Sequence, residues 1–314
     1  MLSLLIPTYC FDCLSLIQGL HGQCEALCGA DELFSYEIVV VDDATPDTEL
    51  VAHLSEGIRS LNQGCVRFIQ LKENAGHAVV RNRLLREARG KWVLMVDSDA
   101  EIIRTDFVAQ YWRNRYRASI LIGGIVHPKE VKRGYELRSA YEESVAYMRE
   151  VNWRNKHPYA VFSVFNLMAL KTAVTPYGFD ERCDEYGYED YLLGVSLERD
   201  GVSVLHIDNP LLHTGIDPSE VFLRKTETAM RTLCKLPADL RHTIGIAKWA
   251  HRLSYVGGTF IFNLLFRPWA SRVRSHLLGT HPSMFLFQLY KLHYYLDMQR
   301  SVENAKNSVS SLKL

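Results

Sequence analysis

Two carboxylates, Asp97 and Asp99, stand two residues apart directly after the apolar run 93–96. Side chains at that spacing on an extended segment point to the same side, so the two charges lie close together. Their repulsion is costly unless a cation or hydrogen-bond donors face them. A hard divalent ion that also bridges diphosphate oxygens would balance the charge, because Mg²⁺ and Mn²⁺ favour carboxylates together with phosphates. The alternative is an aspartate-rich turn at the end of a strand, and the pair alone does not decide between the two.

A second acidic pair, Glu189 and Asp190, opens a predicted helix. Acids in the first turn of a helix are favoured by its dipole, so capping is one interpretation. Four further acids between residues 180 and 185 make the local negative charge larger than capping requires. Downstream, His213 becomes a metal-ligand candidate if the other acids gather near it, and a structural histidine at a strand exit otherwise.

Two further regions would suit a nucleotide. Asp43 ends an apolar run, where its carboxylate could accept hydrogen bonds from a base or ribose; a turn or helix cap is the alternative. Gly76 permits close backbone approach, and the amide-rich start of the helix that follows favours anions. Arg81, about one turn into that helix, could reach a diphosphate, and the alternative is an exposed helix arginine.

The elements that would position these residues alternate between strand and helix over the first hundred residues. Strands are predicted at 2–7, 36–41, 66–71 and 92–96, and helices at 14–27, 51–61 and 77–89. Continuous apolar strands indicate that both faces are covered, as in a parallel sheet between helices. Ligands bind such sheets outside the carboxyl ends of the strands, where the candidate acids lie. The sequence therefore predicts an α/β fold with a mostly parallel sheet flanked by helices.

The pattern loosens in the second part of the chain, where strands are predicted at 119–126, 162–170 and 202–207. We predict one domain at 1–218, with a nucleotide-binding half at 1–104 and an acceptor half at 105–218. A helical extension rich in basic and aromatic residues follows at 219–314.

Composition narrows the partners and the location. The chain has 36 Lys and Arg against 36 Asp and Glu, so no net charge attracts nucleic acid. Seven cysteines, an odd number, favour reduced thiols, and the first residues lack the features of a secretory signal, so we expect a cytoplasmic protein. The longest apolar stretch, near 255–266, is shorter than the roughly 20 residues that span a bilayer.

The extension is unevenly charged, with eight Lys and Arg between residues 240 and 300 against Asp297 alone. Basic amphipathic helices with aromatic faces can lie on anionic membranes, so peripheral contact with the inner face of a membrane is a working hypothesis. Packing on the catalytic domain and formation of a homodimer are the alternatives.

The chain resembles the family 2 glycosyltransferases over residues 1–215. The motifs that carry the resemblance, in the family's order and spacing, are Ile6-Pro7-Thr8-Tyr9, Val41-Asp42-Asp43, Asn74-x-Gly76, the segment 78–82, Gly90, Asp97-Ser98-Asp99 and Glu189-Asp190. The segment 162–166, and Asp208-Asn209-Pro210 with His213, resemble a bacterial subgroup. The family 2 glycosyltransferases are inverting enzymes of the GT-A fold, which is a Rossmann-like fold. Cys10 is a departure, because many relatives have asparagine there, and we expect it to alter loop packing more than chemistry.

The resemblance implies a role for each matching residue. It implies a nucleotide-sugar site formed by Pro7, Tyr9, Asp43, Asn74, Gly76, Arg81, Asp97 and Ser98. In that site Asp43 would accept a hydrogen bond from the base, most often uracil, and Asp97 would contact the ribose or the donor sugar. Asp99 would bind Mn²⁺ or Mg²⁺, and His213 resembles the metal-binding histidine of some relatives. Asp190 matches the residue that deprotonates the acceptor, and Glu189 would orient acceptor hydroxyls.

The expected activity is a hexosyltransferase that moves a single sugar from a nucleotide-sugar, a UDP-sugar, to a hydroxyl. Its acceptor would be a saccharide or lipid-linked saccharide in bacterial polysaccharide or glycolipid synthesis. The alternatives are a non-catalytic nucleotide-sugar-binding protein and a nucleotidyltransferase. The latter would need a glycine-rich basic loop after the first strand, where Pro7-Thr8-Tyr9-Cys10 stands. A zinc module is a weaker alternative; its ligands would be Cys10, Cys13, Cys24 and Cys28.

Overall fold

The structure, a computed structural model, describes residues 1–61, 64–128, 130–183 and 185–311, with side chains as far as residue 301. The strands are β1 (Leu2–Thr8), β2 (Tyr36–Asp42), β3 (Val66–Gln70), β4 (Trp92–Val96), β5 (Ala100–Glu101), β6 (Ile120–Ile122), β7 (Ile125–Val126), β8 (Asn166–Leu170), β9 (Val204–His206) and β10 (Leu211–His213). The first eight α-helices are α1 (Leu14–Ala30), α2 (Thr48–Ser60), α3 (His77–Glu87), α4 (Phe107–Asn114), α5 (Glu136–Ser144), α6 (Val151–Lys156), α7 (Lys171–Val174) and α8 (Glu189–Arg199). The later ones are α9 (Ser219–Lys235), α10 (Ala238–Arg241), α11 (Gly245–Tyr255), α12 (Gly258–Phe266), α13 (Ala270–Leu277) and α14 (Met284–Ser311), and 3₁₀ turns lie at Ala146–Arg149 and Arg267–Trp269.

A seven-stranded sheet in the order β3-β2-β1-β4-β8-β6-β9 is the centre of the fold. Strand β8 runs antiparallel to β4 and β6, whereas the other neighbouring strands are parallel. Both faces are covered: Leu4 and Ile6 of β1 belong to one core, and Leu5 to a second core on the opposite face. The predicted α/β fold with a mostly parallel sheet between helices is confirmed.

Helix α2 begins three residues before its predicted start because Asp47 caps it. The Asp47 carboxylate accepts hydrogen bonds from the backbone N–H groups of Glu49 and Leu50. Such a side chain satisfies amide donors that the first turn of a helix leaves without an internal partner.

The single strand predicted at 119–126 is wrong, because β6 and β7 belong to different sheets. Two glycines separate them. Gly124 has φ +100°, and a Cβ on Gly123 would lie 2.3 Å from the carbonyl oxygen of Asn209. Glycine tolerates both the left-handed backbone and the close approach, so the chain can leave one sheet and enter the other here.

The second sheet has the order β5-β10-β7 and lies just beyond the carboxyl end of β4. Strand β10 is antiparallel to β5, and their register places His213 opposite Ala100. This pairing brings a histidine from late in the chain next to the turn that follows β4.

The described residues divide into two compact units. The first is drawn from Met1–Lys129, Ala146–Glu181 and Glu189–Gly215, and the second from Glu130–Val145, Arg182–Tyr188 and Ile216–Leu314. The first unit contains both sheets. The division at residue 218 stays a prediction.

The second unit contains the C-terminal helical region and has its own apolar core. Buried side chains from α5, α9, α13 and α14 form that core, among them Leu137, Leu223, Leu277 and Phe287. Among the residues that the structure describes, no helix combines the length and apolarity needed to cross a membrane.

Candidate active site

A buried arginine lies at the centre of the candidate acids. Arg81, on α3, is 5% exposed. Its Nη2 donates to Asp97 Oδ1 and Oδ2 at 3.0 and 3.2 Å. Its Nη1 donates to Glu189 Oε1 at 3.2 Å and to Asp190 Oδ1 at 3.1 Å. One guanidinium therefore joins the turn after β4 to the start of α8, and the interpretation of Arg81 as an exposed helix arginine is excluded.

The backbone at the start of α8 is unusual. Gly187 has φ +106° and Tyr188 has φ +74°. A bulky residue with positive φ is an outlier, and such strain persists where the surrounding structure fixes it, often at functional sites. The strained turn directly precedes Glu189 and Asp190, the two acids that meet Arg81.

The charge balance of this cluster is negative, because one guanidinium faces three carboxylates. Burial opposes the charge on Arg81, but Asp97, Asp190 and Glu189 raise the pKa of Arg81 above its ordinary value. Burial raises the pKa of Asp190 to about 7, and the charges of Glu189 and Asp97 act in the same direction. Arg81 and the backbone N–H of Val164, which donates to Asp190 Oδ2 at 2.9 Å, oppose that rise. An acid that titrates near neutrality can both accept and hold a proton.

Asp99 and His213 form a second pair in the same unit. His213 Nε2 lies 2.9 Å from Asp99 Oδ2. The His213 ring packs between the rings of Phe165 and His127, at centroid distances of 5.1 and 5.4 Å. A carboxylate oxygen and an imidazole nitrogen this close are both ligands that a divalent ion accepts.

The carbonyl of Asp99 is held by the residues after β10. It accepts hydrogen bonds from the Thr214 N–H at 2.9 Å and the Thr214 hydroxyl at 2.8 Å. A Cβ on Gly215 would lie 2.2 Å from Asp99 Oδ2, so any larger residue there would displace the Asp99 side chain. Neither Thr214 nor Gly215 was predicted from the sequence; their proximity to His213 was the available signal.

Residues 164 and 165, just before β8, connect the two clusters. Val164 donates its N–H to Asp190, and the Phe165 carbonyl accepts from the N–H of Asp97 at 3.1 Å. The Phe165 ring contacts His213. One short segment thus contacts the proposed base, the first acid of the turn after β4 and the histidine. Its contacts are made by backbone groups and a ring, which the search for acids could not detect.

Asp43 fixes the loop that precedes α3. Its carboxylate accepts hydrogen bonds from Ala75 N at 2.7 Å and Gly76 N at 3.0 Å, and Asn74 Nδ2 donates to its carbonyl at 3.3 Å. Gly76 has φ +86° and begins the helix. The structure therefore brings the predicted nucleotide residues Asp43, Asn74 and Gly76 together.

The other predicted nucleotide residues line the ends of β1 and β4. Pro7 is half-buried in β1, and Tyr9, just after it, is 48% exposed. Ser98 is half-buried in the turn between Asp97 and Asp99.

Cys10, the departure from the family pattern, has φ +51°. Its N–H donates to Thr45 Oγ1 at 2.8 Å, and Thr45 in turn donates to Asp42 Oδ1 at 2.5 Å. Asparagine adopts this left-handed conformation more readily than other non-glycine residues. Asparagine at this position would therefore suit the backbone better than the cysteine of this chain.

We expect Cys10→Asn to raise the free energy of unfolding by up to about 1 kcal/mol, because it relieves a left-handed cysteine and keeps the backbone hydrogen bond. Cys10→Val should lower it, since a β-branched side chain resists positive φ. Thermal unfolding of both variants, with Cys28→Ser as a control for loss of a thiol, measures the difference. A Cys10→Asn protein less stable than the wild type would contradict this account.

The described part of the chain contains no group of three or more His, Cys, Asp and Glu arranged to hold a metal ion. The Asp99–His213 pair could supply two ligands. Mg²⁺ and Mn²⁺ commonly take one or two protein ligands and complete their shell with phosphate oxygens and water. The pair fits an ion that arrives with a diphosphate better than a closed protein site.

Comparison with known proteins identifies the family. A family profile described as Glycosyl transferase family 2 matches residues 4–173, which is more than half of the chain. The chain therefore belongs to glycosyl transferase family 2, and it is a glycosyltransferase.

One curated relative and two solved structures extend the comparison. The chain is 38% identical over 79 residues to a dolichyl-phosphate beta-glucosyltransferase of Dictyostelium discoideum; the match spans 24% of this chain and 23% of that relative's length. A mannosyltransferase from Pyrobaculum calidifontis, solved with GDP-Man and Mn²⁺, superimposes with a TM-score of 0.54 at 15% identity, over 97% of this chain and 86% of that one. A mycobacterial protein superimposes with a TM-score of 0.50 at 16% identity, over 76% of each chain. At such identities the likeness concerns the fold alone, and it confirms the GT-A fold.

Proposed function

We propose that the protein transfers a single hexose from a nucleotide-sugar, a UDP-sugar, to an acceptor hydroxyl, with inversion at the anomeric carbon. The observation that carries the proposal is the position of Arg81, which holds Asp97, from the metal-type motif, and Asp190, the proposed base, on one guanidinium. An inverting transfer needs the groups that stabilise the leaving diphosphate and the base that deprotonates the acceptor to face the same sugar from opposite sides.

The donor would lie along the carboxyl ends of β1, β2 and β4, with Pro7 and Tyr9 against the base and ribose. Both Asp43 carboxylate oxygens already accept a backbone N–H, but each retains a lone pair that can accept from a base. Asp97 and Ser98 would contact the ribose or the sugar. Arg81 holds Asp97 and Asp190 in position through its hydrogen bonds, in addition to any contact with the donor diphosphate.

Asp99 and His213 would hold a divalent ion, Mn²⁺ or Mg²⁺. When bound, the ion supplies Lewis-acid stabilisation of the charge that grows on the departing diphosphate. The chain's own contribution is to aim the two ligands: β5–β10 pairing sets His213, and Thr214 fixes the Asp99 backbone. The Pyrobaculum mannosyltransferase, solved with Mn²⁺, supports a divalent ion in a protein of this fold.

Asp190 acts as the base. The acceptor oxygen forms a bond to the anomeric carbon as the bond from that carbon to the diphosphate breaks, and the hydroxyl proton passes to an Asp190 carboxylate oxygen. No covalent glycosyl-enzyme forms, so one displacement inverts the configuration. Glu189, on the same helix start, would orient acceptor hydroxyls while it also contacts Arg81.

The acceptor is a saccharide or a lipid-linked saccharide of bacterial polysaccharide or glycolipid synthesis, met in the cytoplasm at the inner face of the membrane. The Dictyostelium relative favours a second acceptor class, a lipid phosphate. A phosphate oxygen is ionised near neutral pH and needs no base, since the second pKa of a phosphomonoester is about 6. The two acceptor classes therefore differ in how strongly they depend on Asp190.

Thermal unfolding with UDP-, GDP- and dTDP-sugars, each with and without Mn²⁺, tests the donor proposal. A UDP-sugar with Mn²⁺ at about a hundred times its dissociation constant should stabilise the protein by about 3 kcal/mol. Asp99→Ala should lose the part of this stabilisation that depends on Mn²⁺, because it removes one of two protein ligands. Glu56→Ala, an exposed acid on α2, is the matched control.

Three outcomes would contradict the proposal. Equal stabilisation of wild type and Asp99→Ala by the metal and donor would remove the metal role of Asp99. Stabilisation without release of nucleoside diphosphate in the presence of any hydroxyl or phosphate acceptor would favour a non-catalytic binding protein. Release of pyrophosphate from a nucleoside triphosphate and a sugar phosphate would indicate a nucleotidyltransferase.

A further inference from the structure

The outward face of α12 is apolar. Four large side chains at positions i, i+1, i+4 and i+5 are 58–66% exposed: Phe260, Ile261, Leu264 and Leu265. Residues at these spacings lie along one side of a helix. Contiguous exposed apolar surface of this kind marks a site of contact with another molecule or with a membrane.

The polar side chain of α12 faces the other way. Asn263 is 4% exposed, and its Oδ1 lies 2.9 Å from His293 Nδ1 on α14. The helix therefore turns its amide inward and its leucines outward, the reverse of the pattern of a helix that faces water. An apolar environment around the outward face would remove these apolar side chains from water.

Exposed aromatic side chains precede and follow the apolar stripe along the chain. Tyr255 and Val256, at the turn between α11 and α12, are 80% and 77% exposed, and Trp249 and Trp269 on either side are 64% and 56% exposed. Tryptophan and tyrosine are enriched where a protein meets the headgroup level of a bilayer, because their rings have an apolar body and a polar end.

The segment of the chain that carries this surface has charged side chains of one sign. The sequence from residue 240 to 296 contains seven Lys and Arg and no Asp or Glu. Arg252 on α11, Arg267 directly after α12 and Arg272 on α13 are exposed. The guanidinium carbons of Arg252 and Arg272 lie 5.8 and 5.0 Å from the ring centroids of Trp249 and Trp269. The segments on either side of the apolar stripe therefore carry cations and no acids, which complements an anionic surface.

We propose that the α11–α12 face, defined as Trp249, the segment 255–265 and Trp269, docks on an anionic phospholipid bilayer. The helix lies in the interfacial plane with its leucines among the upper acyl chains and its arginines at the phosphates. At nine residues α12 is far too short to span the hydrocarbon core. This inference does not depend on the proposed reaction.

A second copy of the chain fits this face less well. A two-fold dimer would bring the same patch against itself, so Arg252, Arg267 and Arg272 would meet their own copies. The α11–α12 face as defined contains no carboxylate to compensate them, and like charges opposed across an interface are costly. A bilayer with anionic lipid would bury the apolar stripe among acyl chains and place lipid phosphates beside the arginines.

Flotation of the full chain with phosphatidylcholine vesicles, with and without a quarter phosphatidylglycerol, tests the proposal. The wild type should float with the anionic vesicles, less as salt rises, and bind zwitterionic vesicles weakly. Arg252→Gln/Arg267→Gln/Arg272→Gln should lower the partition coefficient about a hundred-fold at low salt. Phe260→Ser/Leu264→Ser/Leu265→Ser should lower it by at least roughly a hundred-fold at every salt concentration.

Two control variants make the same types of substitution at exposed positions outside the α11–α12 face. Arg59→Gln/Arg113→Gln/Arg117→Gln removes three exposed arginines, and Leu33→Ser/Ile103→Ser/Val131→Ser removes three exposed apolar side chains. Both should float like the wild type. Circular dichroism and thermal unfolding should show that the arginine and serine triple variants, together called the stripe variants, keep the wild-type fold, because every substituted side chain is exposed.

Three results would overturn the inference. The first is a wild-type protein that stays with the unbound fraction at low salt. The second is flotation that both stripe variants retain and the control variants lose, which would locate the membrane contact elsewhere. The third is a dimer in solution that the serine variant abolishes while no form floats, which would make a second copy the occupant.

Discussion

Replacement of Asp190 by asparagine is expected to lower kcat/KM for a hydroxyl acceptor by about 10²–10⁴-fold, the usual contribution of a positioned base. Asparagine keeps the size of the side chain and can still accept the Val164 N–H, but it cannot take a proton from the acceptor. Binding of the donor and metal, measured by thermal unfolding, should change little. Steady-state rates of nucleoside diphosphate release measure the loss.

The pH dependence of the same step has a defined sign. Burial raises the pKa of Asp190 to about 7, and the base must be ionised, so the rate should rise with pH and level off above that value. The free energy of unfolding should move the other way. The folded protein binds the Asp190 proton more tightly than the unfolded chain, whose aspartates titrate near pH 4, so stability is lost as pH rises from about 4 to about 7. Asp190→Asn should remove both dependences.

A matched control is available on the same helix. Glu198 is exposed near the end of α8, and Glu198→Gln should leave the rate and its pH profile unchanged. If Asp190→Asn retains more than about a tenth of the wild-type rate with a hydroxyl acceptor, Asp190 is not the base. If it does so with a lipid phosphate only, the second acceptor class is correct.

Replacement of Arg81 by glutamine is expected to lower the free energy of unfolding by about 3–5 kcal/mol at pH 8, because removal of one partner leaves buried charge without compensation. Here three carboxylates would face one another without a cation. The loss should be smaller at pH 5, where protonation of Asp190 relieves part of the repulsion. Urea unfolding at both pH values measures the effect.

Two further variants separate charge from geometry. Arg81→Lys keeps a positive charge but loses the planar fork that reaches Asp97 and Asp190 together, so it should fall between wild type and Arg81→Gln. Arg86→Gln, an exposed arginine on the same helix, should be near neutral. An Arg81→Gln protein as stable as Arg86→Gln at pH 8 would mean that Arg81 does not hold the acids together.

Local sequence patterns were enough to predict the strands of the first hundred residues. Buried apolar runs predicted β1 to β4 with boundaries within one residue, because a strand covered on both faces must be continuously apolar. The position of acids at the carboxyl ends of these strands follows from the parallel arrangement. The glycine pair at 123–124 was a readable signal, but the uninterrupted apolar character of its neighbours concealed the break.

Local sequence patterns could not predict which of the candidate site residues contact one another. Arg81 contacts Glu189 and Asp190 across 108 and 109 positions, and Asp99 meets His213 across 114. The motif resemblance placed these residues in one family and implied a nucleotide role for Arg81, which stays a prediction. The structure adds that its guanidinium contacts three carboxylates. Periodicity reports whether a segment is a helix or a strand; it does not report which segment packs beside it.

The sequence by itself determined the α/β class, the parallel strands, the acidic pairs and the basic, aromatic character of the last third, because each is a property of neighbouring residues. Only the tertiary structure decided that Arg81 is buried among three acids, that Val164 and Phe165 connect the two clusters, and that α12 turns Asn263 inward and its leucines outward. The physical reason is that burial and charge pairing depend on the register of β8 and β10 and on helix rotation. Long-range packing sets these relations, and the order of residues along a segment does not display them.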